Sequence, residues 1–104
     1  MDKKTILFVD DEKDVLMTIS YRLRQAGYDV KTAEDGCEAL DSAREKKPSV
    51  IILDIMLPKM NGYEICGLFK ADIGLRDIPI ILLSGVAEKE DMEMGKAILT
   101  NLTW

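Results

Sequence analysis

Thr5-Ile6-Leu7-Phe8-Val9-Asp10-Asp11 and Val50-Ile51-Ile52-Leu53-Asp54 decide how this chain folds. Each is a strand-length, mostly apolar stretch that ends on aspartate. A run without polar alternation reads as a strand buried on both faces, as parallel sheets require. If the two runs are neighbouring parallel strands, three carboxylates converge at one end of the sheet. Like charges about 4 Å apart repel by about 1 kcal/mol in water, and several-fold more where the dielectric is lower. Such a cluster either holds a proton or binds a hard divalent cation through oxygen, and the second reading is favoured.

Outward from these runs the chain alternates strand and helix. Asp14 precedes Val15-Leu16-Met17, and Ile19 and Leu23 continue an apolar face at helical spacing. Gly27 stops that helix as a left-handed residue just past its end. Tyr28-Asp29-Val30-Lys31-Thr32 alternates like a strand near an edge. A turn at Glu34-Asp35-Gly36 opens a second helix through Ala39, Leu40 and Ala43, closed by Lys46, Lys47 and Pro48. After residues 50–53 a loop with Pro58 and Asn61-Gly62 leads to a helix over about residues 63–71. Residues 79–83 form a fourth strand that ends at Ser84-Gly85, and Glu88 to Ile98 reads as helical. Apolar strands separated by amphipathic helices predict an α/β fold: a mostly parallel sheet covered on both faces, with right-handed crossovers. Ligands in such folds bind beyond the carboxyl ends of the strands, where strand order reverses, which is where Asp10, Asp11, Asp54 and Ser84 would lie.

The chain has 104 residues, enough for one small domain with a modest core. It is 47% hydrophobic and 32% charged, ordinary for a soluble protein. A net charge of −5 without a Lys/Arg cluster argues against direct nucleic-acid or membrane-surface binding. The apolar stretches are too short to cross a bilayer, and Met1-Asp2-Lys3-Lys4 leads into a strand without a cleavage site. Cys37 and Cys66 lack metal-ligand spacing and read as reduced, small apolar residues of a cytosolic protein. With no histidine in the chain, any histidine chemistry must come from a partner.

Taken singly, Asp10 and Asp11 fit helix capping or turn formation as well as they fit a site. Asp54 weighs differently, because a charge directly after four buried apolar residues is costly unless paired or metal-bound. Mg²⁺ would offset the repulsion, demands oxygen ligands and keeps room for phosphate oxygens. An ionised aspartate held beside Mg²⁺ can attack a phosphoryl group and form an acyl phosphate, chemistry that rests on positioning and charge neutralisation.

The runs Ile6-Leu7-Phe8-Val9-Asp10-Asp11-Glu12, Leu53-Asp54-Ile55-Met56-Leu57-Pro58-Lys59-Met60-Asn61-Gly62 and Pro79-Ile80-Ile81-Leu82-Leu83-Ser84-Gly85 resemble the receiver domain of bacterial two-component response regulators. The resemblance covers about residues 4–98 and implies a flavodoxin-like sheet with strand order 2-1-3-4-5. It implies a phosphoacceptor signalling module that receives a phosphoryl group on Asp54 from a partner histidine kinase or phosphotransfer protein. The reaction would depend on Mg²⁺, and the module would be a switch without a separate substrate, not an enzyme. Asp11, Asp54 and the backbone carbonyl of Met56 would ligate the metal directly, with Asp10 acting mainly through a water on it. Ser84 matches the serine or threonine whose hydroxyl bonds a phosphoryl oxygen. Pro58 and Gly62 match the loop that shapes the site, and both also fit plain turn chemistry. Met56, two residues past the acceptor, would overhang the phosphoryl group, where an apolar side chain cannot orient an attacking water.

The family pattern also has a Lys-Pro pair after a fifth strand, then a fifth helix. The segment from Lys96 to Trp104 contains no Lys-Pro. The expectation is a single receiver-like domain over residues 1–104, truncated or altered after about residue 98, with about four βα units. Lys89 and Lys96 read as solvated side chains of the fourth helix. Without a fifth strand the apolar fourth strand becomes an open edge, so the reading predicts a marginal monomer or a homodimer burying residues 79–83 and Leu99 to Trp104. The rival is a degenerate receiver that binds partners without being phosphorylated. A phosphatase with an aspartyl nucleophile fits poorly, because its two aspartates stand one residue apart and Asp10 and Asp11 are adjacent. A flavin protein fits poorly too, since no Gly/Ser/Thr-rich loop follows the first strand.

Overall fold

The computed structural model describes residues 4–54 and 62–83, apart from the side chains of Asp54 and Leu83. Seven elements follow in chain order: β1 (Thr5–Val9), α1 (Lys13–Gln25), β2 (Asp29–Ala33), α2 (Gly36–Glu45), β3 (Val50–Asp54), α3 (Gly62–Ala71) and β4 (Ile80–Leu83). The four strands are parallel, in the order β2-β1-β3-β4. This is the four-strand portion of the order expected from the resemblance. The helix over residues 88–98, the Leu99 to Trp104 tail, Met56, Pro58, Ser84 and the lysines at 89 and 96 lie outside the described residues.

Side chains along β1 and β3 alternate between two cores. Leu7, Val9, Ile51 and Leu53 pack with Ala39 and Ala43 of α2 and with Ile65 and Phe69 of α3. Ile6, Phe8, Val50 and Ile52 pack with Leu16, Ile19 and Leu23 of α1 on the other face. Both strands are therefore buried twice over, which is why their sequence shows no polar alternation. Full burial of one such side chain contributes about 1.5–3 kcal/mol, so these central strands anchor the domain.

The helix ends follow from local chemistry. Gly27 has φ +100°, a backbone conformation that glycine adopts without cost, and its N–H bonds the Arg24 carbonyl at 3.0 Å. Asp35 caps α2 by accepting from the Glu38 N–H at 2.9 Å. Helix α1 starts at Lys13 with Glu12 as its cap, one residue before the expected Asp14. β2 lies one residue later than the alternation indicated, because its outer edge and one face are partly exposed and pattern defines it weakly.

Between α3 and β4 the chain makes a compact turn whose Leu75 and Ile78 enter the core. Asp72 accepts from the Gly74 N–H at 2.8 Å, and Lys70 Nζ donates to the carbonyls of Arg76 (3.0 Å) and Ile78 (3.4 Å). The exposed Arg44–Asp72 pair at 3.4 Å adds little.

Candidate functional site

β1 and β3 are neighbours, with Val9 level with Leu53. One residue further on, Asp10 and the backbone of Asp54 stand side by side at the carboxyl ends of the two central strands. On its other side, Asp54 is level with Leu83, the last residue of β4, so the position that follows it in sequence is Ser84. The chain leaving β1 enters α1 on one face of the sheet. The chain leaving β3 goes on to α3 on the opposite face. α1 and α3 thus lie on opposite faces of the sheet, and doubly wound sheets place their ligands beyond the carboxyl ends of such strands.

Asp10 and Asp11 are not equivalent. Asp10 keeps to the sheet: its N–H donates to the Ala33 carbonyl at 3.0 Å, and the residue is 1% exposed. Its Oδ1 accepts from the Glu12 N–H at 2.9 Å, closing the turn that carries the chain into α1. A buried carboxylate is tolerated where hydrogen bonds or a cation offset its desolvation. Asp11, the next residue, is exposed. The sequence shows the pair but not this division of labour.

The available donors are hard oxygens. The chain has no histidine, and both cysteines are free: Cys37 is exposed and Cys66 half-buried on α3. Among the described side chains, to which the Asp54 carboxyl does not belong, no group of three or more His, Cys, Asp or Glu could hold a metal. A buried carboxylate beside an exposed one at the strand ends fits Mg²⁺, which takes carboxylate oxygens and keeps part of its water shell. Among the described residues no helix is long and apolar enough to cross a membrane.

Residues 6–99 match the family model of the response regulator receiver domain. Over 95 residues the chain is 43% identical to the alkaline phosphatase synthesis transcriptional regulatory protein PhoP of Bacillus subtilis, covering 91% of this chain and 38% of that protein. It is 36% identical over 93 residues to the DNA-binding response regulator MtrA of Mycobacterium leprae, covering 89% of this chain and 40% of that one. The chain thus spans about two-fifths of the length of these curated relatives. Among solved structures, the chemotaxis response regulator CheY4 of Vibrio cholerae superposes with a TM-score of 0.76 at 34% identity, covering 93% of this chain and 81% of that one. The fold, the order of its strands and these similarities agree, and the chain belongs to the receiver domain family of two-component response regulators, whose members are Mg²⁺-binding signalling modules.

Proposed function

We propose that this receiver domain accepts a phosphoryl group on Asp54 from the phosphohistidine of a partner kinase or phosphotransfer protein. The observation that supports it best is the β1–β3 register, which levels Val9 with Leu53 and so sets Asp54 beside the buried Asp10. A carboxylate oxygen of Asp54 attacks phosphorus, the phosphorus–nitrogen bond of the donor breaks, and the imidazole leaves with its electron pair and takes a proton. The product is an acyl phosphate on Asp54.

Asp10, Asp11, Asp54 and the Met56 carbonyl would hold Mg²⁺, which supplies charge neutralisation for the incoming phosphoryl oxygens. Asp10 is held in place by the Glu12 N–H and by its own place in the sheet ladder, so its carboxylate is oriented before any ligand arrives. The hydroxyl of Ser84 donates to a phosphoryl oxygen and links modification to its own loop. The acyl phosphate turns over by self-catalysed hydrolysis, and Met56 slows that step by giving a water no polar group to orient it. The partners are proteins, and the site of action is the cytoplasm.

The test is to incubate the chain with acetyl phosphate and Mg²⁺ beside Asp54→Asn. The expected result is a mass gain of one phosphoryl group that needs the metal and Asp54. No gain under any condition would leave a receiver that acts only by binding partners and would overturn the proposal.

A further inference from the structure

β2 is an edge strand among the described residues. Its hydrogen bonds to β1 are made by alternate residues: the Asp29 N–H donates to the Lys4 carbonyl at 3.0 Å, and the Ala33 carbonyl accepts from the Asp10 N–H at 3.0 Å. In a parallel ladder this leaves the main-chain groups of Val30 and Thr32 directed away from the sheet. Such an edge is a template for pairing with another chain. One of these outward groups is covered: Arg24, in the last turn of α1, donates from its guanidinium to the Val30 carbonyl at 3.0 Å. Arg24 also borders two surface hollows, one against Tyr28, Asp29 and Lys31 and the other against Ser20, Thr32 and Glu34. Its side chain therefore stands at the middle of the edge.

The same edge is complementary to itself. When two copies meet antiparallel about a two-fold axis at Val30, each Val30 exchanges both main-chain bonds with its counterpart. That register sets Asp29 of each copy opposite Lys31 of the other, an opposite-charge cross-strand pair on both sides of the axis. Shifting the axis to Lys31 would instead set lysine against lysine. Tyr28 contributes its carbonyl to the first register, since its N–H is already bonded to the Leu23 carbonyl at 3.2 Å.

We propose that the outer edge of β2 is a self-complementary dimerisation surface for a second copy of this chain, and that Arg24 keeps it closed by occupying the Val30 carbonyl. Two edges can pair only after both guanidinium groups withdraw, so each copy must give up a charge-assisted bond before gaining a main-chain one. Arg24 thus sets the association threshold. This surface is independent of the strand-end carboxylates, and the proposal stands or falls apart from phosphorylation.

The experiment compares the unmodified chain with Arg24→Ala and with Arg24→Met, which keeps an unbranched apolar stem and no donor. Sedimentation across a concentration series is combined with amide hydrogen exchange. Both variants are expected to shift from monomer towards dimer at concentrations where the parent does not, with slowed exchange at the Val30 and Thr32 amides. Adding Lys31→Glu sets like charges opposite each other on both sides of the axis and is expected to weaken the dimer at least about tenfold. Adding Asp29→Lys as well restores opposite pairs in the Val30 register alone and is expected to recover the dimer. Circular dichroism and cooperative urea unfolding establish that each variant is folded. Variants at Arg24 that sediment like the parent would overturn the proposal. So would a dimer indifferent to Lys31→Glu, or a charge swap that fails to restore it.

Discussion

Replacing Asp10 by asparagine keeps an oxygen acceptor for the Glu12 N–H, 2.9 Å from Oδ1. It deletes the charge from a residue that is only 1% exposed. The register puts Asp54 on the neighbouring strand, and neighbouring strands run about 4.8 Å apart. Two carboxylates separated by about 5 Å repel by about 3 kcal/mol at an effective dielectric of 20. Rotation of the side chains and access of water lower this, so Asp10→Asn should stabilise the metal-free protein by about 1–3 kcal/mol. The same charge attracts the metal, so the effect should shrink or reverse when Mg²⁺ is added. Binding at a hundred times the dissociation constant stabilises a folded protein by about 2.7 kcal/mol, and the variant should lose most of that gain. Urea unfolding in EDTA and again in MgCl₂ measures both quantities. A variant less stable than the parent in EDTA, or one with an undiminished gain from Mg²⁺, would refute the reasoning.

Three further outcomes follow from particular residues. Gly27→Ala should cost about 1 kcal/mol in urea unfolding, because the positive φ is strained for alanine although nothing lies within 4 Å of the added Cβ. Asp35→Ala removes the acceptor for the Glu38 N–H and should cost about 1 kcal/mol, while Asp35→Asn should cost far less. Met56→Asn should shorten the lifetime of the Asp54 acyl phosphate, followed as loss of the phosphoryl mass after donor removal, and an equal lifetime would remove Met56 from the account.

The central strands are readable from sequence because burial on both faces forces a continuous apolar run, and aspartate directly after such a run marks the strand end. The approach of β1 to β3 is a different matter. No local pattern encodes it: the apolar runs leave it a condition, and only the strand order implied by the receiver resemblance supplies it. The shift of β2 by one residue has the same origin as its partial exposure, since a strand with one open edge carries a weaker period. The turn from Asp72 to Ile78 was not legible at all. Its two core residues, Leu75 and Ile78, are held by main-chain and Lys70 bonds, which leave no periodic signature. Within the site, the residue types are visible in sequence, but the burial of Asp10 against the exposure of Asp11 is not. That difference depends on a turn closed by a main-chain N–H of Glu12, a group every residue but proline has.

Substituting Mn²⁺ for Mg²⁺ and recording amide relaxation along the chain tests most directly whether the strand ends form one cation site. Broadening strongest at the amides of Asp10, Asp11, Asp54 and their neighbours, weakest at Gly27 and Lys46 beyond the other ends of the strands, and requiring more Mn²⁺ in Asp54→Asn, is the predicted result. Broadening centred elsewhere on the acidic surface, or a pattern and midpoint unchanged in Asp54→Asn, would contradict it.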